Sequence, residues 1–133
     1  MPRAIARRRE GYAHDVEIDG HTVVVDEPTE AGGADQGPSP TRLAAVALAS
    51  CTAITLEMYA GRKGWDLGDL EVVVDLEYGK SGVPSSFLVT IKLPRELTEE
   101  QQERLKSIAG KCPVHRVLTG ERKVEVEDRI ELV

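Results

Sequence analysis

The chain has 133 residues, 41% hydrophobic and 30% charged, which suits one globular domain spanning residues 1–133. Acidic residues outnumber basic ones, 23 to 17, for a formal charge of −6, so no basic face is expected for nucleic acid. Aromatics are only 4%, which leaves the core to Val, Leu, Ile and Ala.

The first segment, MPRAIARRREG, lacks the apolar stretch of a secretory signal. No segment approaches the ~20 apolar residues needed to cross a bilayer, so a cytoplasmic protein without a membrane partner is expected. The short basic cluster Arg7, Arg8 and Arg9 is followed at once by Glu10 and reads as a solvated strand face. Asp15 to Asp26 has the alternation of a hairpin, with Asp19-Gly20 as its type I′ turn. Glu27-Pro28 then opens the loop TEAGGADQGPSP, rich in Gly, Pro and small polar residues.

A long helix follows, capped by Ser39, with Pro40 at its first position and an end near Gly61 or Arg62, before Gly64. From Leu43 to Thr55 it carries no charge. A helix apolar all round must be covered on every side, and half-apolar strands cover only one or two. The small residues Ala44, Ala45, Ala47, Ala49 and Ala53 invite a second helix, so a homodimer is expected.

Leu70 to Tyr78 reads as a strand, Ser81 to Ser86 as a turn and Phe87 to Leu93 as a returning strand. Thr98 caps a polar helix with Leu105 and Ile108 on its apolar stripe. Pro113 opens a short helix, and Arg122 to Val133 alternates like a last strand. The order β-β, long α, β-β, α, β makes the fold class α+β with largely antiparallel pairing.

Two cysteines remain, Cys51 inside the long helix and Cys112 just before Pro113. In a reducing compartment they suit transient thiol chemistry better than a permanent staple. Each also has a bland reading. Cys51 can be a small core hydrophobe, and Cys112 a helix cap without chemistry. Cys112 and His115 have CxxH spacing, but His14 and His21 do not complete a ligand set, so neither metal nor cofactor is expected. His115 then reads as a surface or interface residue, and the absence of CxxC excludes a thioredoxin-type site. One thiol in dry surroundings and another at a helix start are the equipment of a hydroperoxide reductase. A thiolate becomes a sulfenic acid there, and a second thiol condenses with it.

The segments HTVVVDEP, GGADQGPSP, ALASCTAITLEMYAGRKGW and CPVHRVL, in this order, resemble the OsmC/Ohr family of osmotically inducible and organic hydroperoxide resistance proteins. The resemblance implies the OsmC-like fold, with antiparallel sheets packed on a long central helix, in an intertwined homodimer with active sites at the subunit interface. It makes Cys51 the peroxidatic and Cys112 the resolving cysteine, joined as a Cys51–Cys112 disulfide during turnover. It also points to Arg9, with Arg8 the neighbouring register, as the arginine of the site. The implied substrate is an organic, lipid-like hydroperoxide, and the implied partner a dithiol reductant that no residue identifies. Where the family's peroxidases carry a Glu just after the helix-opening proline, this chain has Thr41 and Arg42. Glu57, Asp26 and Glu27 are the acids considered for that place. An alternative on the same dimer is a stress-related protein that holds a small apolar ligand without turnover. A redox sensor ranks last, for want of a DNA-binding element. Lys63 and Trp65 read as helix-end and packing residues.

Overall fold

The computed structural model describes all residues, 1–133. Strands β1 (Ala4–Glu10), β2 (Ala13–Ile18) and β3 (His21–Val25) form a three-stranded antiparallel sheet in the order β1-β2-β3. The expected hairpin is β2–β3, with Asp19 and Gly20 both at positive φ, as a type I′ turn requires. β1 is one strand more than the expected element order had. All seven of its residues are exposed, so no apolar alternation marked it, and its pairing rests on the backbone ladder.

The loop after β3 is irregular yet tightly held. Asp26 is only 2% exposed, and its carboxylate accepts N–H bonds from Glu27 at 2.7 Å and from Ala34 and Gln36 at 3.2 Å. Burial alone would push this carboxyl up, but the amides of Gln36, Glu27 and Ala34 outweigh it and hold the pKa below the usual carboxylate range. Gly37 lies against β3 so closely that a Cβ there would run into the Val24 carbonyl. Only glycine fits that approach.

Helix α1 spans Pro40–Lys63, 24 residues, and so about 36 Å by helical rise. Ser39 caps it: its Oγ accepts from the Arg42 amide at 3.4 Å and its carbonyl from Leu43 at 2.9 Å. Gly64, at φ +70°, ends it in a Schellman turn, with Trp65 N–H bonded to the Ala60 carbonyl and Gly64 N–H to Gly61. By length and composition α1 is the one helix long and apolar enough to cross a membrane, which corrects the expectation that no segment comes near. Its scattered Thr and Ser residues hide this, since the unbroken apolar run is shorter than the helix. Leu48, Thr52, Leu56, Tyr59 and Ala60 of α1 are buried within the protein.

β4 (Glu71–Tyr78) and β5 (Pro84–Lys92) make a two-stranded sheet. The turn between them is tighter than expected. Ser81 and Gly82 both take positive φ, so β5 starts at Pro84, where the sequence suggested a turn as far as Ser86. A strand's first residue tolerates proline because the missing N–H interrupts no ladder. α2 (Glu99–Ala109) begins with a capping box between Thr98 and Gln101, and α3 (Pro113–Leu118) follows with Cys112 as its N-cap.

The residues group into two compact units, Met1–Val46 with Asp75–Leu88, and Ala47–Val74 with Val89–Val133. The main core belongs to the second. There Leu56, Tyr59 and Ala60 of α1 pack with Leu67 and with Leu105, Ile108 and Ala109 of α2. The last strand expected at Arg122–Val133 does not form, since no edge within the chain pairs with it. Its alternating Val124, Val126, Ile130 and Leu132 all lie exposed, Val126 at 82%.

Candidate active site

The shared core of α1 and α2 fixes where the thiols lie. Packing Leu105, Ile108 and Ala109 against Leu56, Tyr59 and Ala60 lays α2 along the second half of α1. The chain leaves α2 through a tight turn, with Lys111 N–H bonded to Ile108 at 2.9 Å and Cys112 N–H to Ala109 at 3.3 Å. Cys112 is thereby delivered beside Cys51, near enough for each thiol to influence the other's proton. Cys51 is half-buried, Cys112 is fully buried, and both are free thiols.

Burial raises the Cys112 pKa, and the neighbouring Cys51 raises it further. The amides of His115 and Val114 favour the thiolate, but neither makes a capping bond to the sulfur, so burial prevails. An N-cap position by itself favours a thiolate. Desolvation decides the opposite.

Two polar atoms close in sequence to the thiols are shielded from solvent and have no hydrogen-bond partner: Thr52 Oγ1, in a residue 1% exposed, and His115 Nδ1. His115, expected at a surface or interface, is half-buried, because α3 turns that nitrogen away from solvent. Thr52 gave no signal in the sequence, as a threonine in an apolar helix looks like filler. No three His, Cys, Asp or Glu side chains gather as metal ligands.

Arg9 belongs to the other unit. The β1–β2 ladder passes from Arg8↔His14 to Glu10↔Ala13, so Arg9 is the unpaired residue of a β-bulge, a feature that re-aims a side chain. Its guanidinium grips Asp15 with two bonds, Nη2 to Oδ1 at 2.5 Å and Nε to Oδ2 at 3.3 Å, and reaches Gln36 Oε1 at 3.5 Å. Asp15 was not among the acids considered for this arginine. Its i+6 position across a two-residue turn is visible in the sequence only once β1 is recognised as a strand. Asp26 is committed to the loop amides. Thr41 Oγ1 shares a hydrogen bond of 2.8 Å with the Tyr78 hydroxyl, within the same unit as Arg9. Arg8 bonds the Gly11 carbonyl through Nε, and Arg7 pairs with Glu17.

Residues 32–127 match the family model described as OsmC-like protein. No curated protein matches the chain. Among solved structures, a putative osmotic stress induced and detoxification response protein from Psychrobacter arcticus is 21% identical, with a TM-score of 0.78 and 85% of each chain covered. The OsmC like protein from Mycoplasma pneumoniae is 17% identical, with a TM-score of 0.77, covering 90% of this chain and 88% of that one. The organic hydroperoxide resistance protein OhrB of Bacillus subtilis is 24% identical, with a TM-score of 0.54, covering 87% and 88%. At these identities the likeness shows the fold, α+β with small antiparallel sheets and a long central helix.

Proposed function

Taking as premise that the chain belongs to the OsmC-like family, we propose that it reduces organic hydroperoxides through its two cysteines. The observation that carries this reading is the nearness of the two free thiols, a buried Cys112 beside a half-buried Cys51. The Cys51 thiolate attacks the hydroperoxide. An S–O bond forms, the O–O bond breaks, and the alkoxide leaves to take up a proton as the alcohol. Cys51 is now a sulfenic acid, oxidised by two electrons. The Cys112 sulfur then displaces the sulfenic oxygen. An S–S bond forms, the S–O bond breaks, and the Cys112 proton departs with the oxygen as water. A dithiol reductant returns two electrons and two protons, regenerating both thiols and becoming a disulfide itself.

The raised pKa of Cys112 supports this division of labour. A thiol kept protonated at neutral pH is a poor first nucleophile, and it brings the proton that water formation needs. Arg9, clamped by Asp15, is assigned the role of the positive group that favours thiolate and departing oxygen. An Asp–Arg pair on neighbouring strands would then fill the place of the family's helix-start Glu.

A homodimer in a cytoplasmic setting belongs to this reading. Its support is the outward stripe of α1, where Val46, Ser50, Ile54 and Met58 recur every fourth residue and Met58 is 62% exposed. The alanines expected to form that face are half-buried instead. The exposed, alternating tail 123–133 supports it too, since a second copy can supply the sheet edge it lacks. One observation favours a second reading, a stress-related protein that binds an apolar ligand without turnover: Thr41 stands at the family's Glu position, and its hydroxyl is taken by Tyr78.

Thiol titration separates the two. One equivalent of cumene hydroperoxide is expected to remove both free thiols within seconds, much faster than hydrogen peroxide does. Cys51→Ser abolishes the reaction, and Arg9→Gln slows it. Thiol loss no faster than that of free cysteine would leave ligand binding as the function.

A further inference from the structure

Two turns beyond Cys51, about 12 Å along α1, lies a group of side chains that the thiol chemistry does not use. Tyr59, Lys63, Trp65 and Arg104 line an open cleft of about 780 Å³ between the end of α1 and the face of α2. We propose that this cleft is a second ligand site, one that takes a small monoanionic carboxylate carrying an aromatic ring.

The cations come first. Lys63 Nζ stands 5.7 Å from the Tyr59 ring centroid and the Arg104 guanidinium 5.8 Å, so two positive groups flank one ring. Neither takes part in an ion pair. Arg104 spends only Nε, on the Tyr59 hydroxyl at 2.9 Å, and its outer fork of N–H donors remains for a ligand carboxylate. That bond fixes the guanidinium in place, so little is lost in ordering it when a ligand arrives. The field of these groups acts on Tyr59. Arg104's hydrogen bond, and the charges of Arg104, Lys63 and Lys111, bring the Tyr59 phenol below its ordinary pKa despite burial.

The aromatic wall comes second. Trp65 meets Tyr59 edge to face, with centroids 5.6 Å apart, and the half-buried Trp65 lines the cleft as the ring on which a ligand ring would stack. Tyr59 is buried and sits in the main core, so the wall is rigid. The limit on ligand charge comes last. Glu100 and Glu103 line the same cleft without pairing with either cation, so a second negative charge on the ligand would meet carboxylates. The volume lies within the usual range for small-molecule sites.

Trp65 is the chain's one tryptophan, so its single indole N–H resonance reports on the cleft without interference. The full protein is titrated with benzoate, with the neutral benzamide and with the doubly charged phthalate. Benzoate is expected to move the Trp65 resonance along a saturable curve, with benzamide and phthalate each about tenfold weaker. Lys63→Gln, which leaves the Arg104–Tyr59 bond intact, is expected to weaken benzoate by about tenfold and benzamide not at all. Benzoate binding no better than benzamide would overturn the proposal, as would an absent saturable shift or wild-type benzoate binding in both Lys63→Gln and Arg104→Gln. Cumene hydroperoxide consumption by the same variants stays at the wild-type rate. The two readings therefore fail separately.

Discussion

The loop from Asp26 to Ser39 and the tail from 123 to 133 invert what their sequences suggest. The loop has no repeating pattern, carries many glycines and prolines, and still holds one fixed path. Its backbone N–H groups converge on a buried carboxylate, and Gly37 lets it lie on β3 without a gap. The tail has the regular alternation of a strand and forms no secondary structure. Order comes from satisfied backbone groups and close contact, and a regular pattern supplies neither until an edge is present to receive it.

The largest expected effect comes from breaking the loop's contact with β3. Gly37→Val drives a side chain into the Val24 carbonyl and should cost about 3 kcal/mol or more, read as a lower urea midpoint. Next is the carboxylate that gathers the amides. Because folding lowers the Asp26 pKa, its stabilisation is complete above the ordinary carboxylate value of about 3.9 and is lost as pH falls through the folded value. Asp26→Asn should therefore lower Tm by several degrees at neutral pH. Between pH 5 and 2 the variant should show a shallower loss of stability than the wild type, measured by thermal unfolding across that range. If its acid slope matches the wild type's, Asp26 does not organise the loop.

The smallest effect on the single chain is expected in the tail. Val126→Lys with Ile130→Lys changes only exposed side chains and should alter unfolding of the isolated chain by less than about 0.5 kcal/mol. The same pair should weaken self-association at least tenfold in sedimentation equilibrium, since lysine is a residue that natural edges use against pairing. Unchanged association would remove the tail from the proposed dimer. It would then be an unpaired end and nothing more.

Much of the fold was legible in advance. The ends of α1 were written as Ser39-Pro40 and Gly64, the cap of α2 as Thr98, and the I′ turn as Asp19-Gly20. Each is a local code, read by the few residues around it. Arg7 to Arg9 read as a solvated strand face, but β1 was not counted in the element order. All its side chains face solvent, and only a backbone ladder fixes its extent and pairing. The bulge at Arg9 and its grip on Asp15 were hidden for the same reason, since both depend on a register across two strands.

The sequence by itself determined which groups the protein possesses and which local elements carry them. It supplied two thiols on helices, the helix caps and an apolar α1 too long for its own cover. Tertiary structure decided what those groups meet. Packing of α2 on α1 brought Cys112 to Cys51 and desolvated it, so that its N-cap amides no longer set its protonation. Such outcomes depend on distances between residues far apart in the chain, and on the dielectric their packing creates.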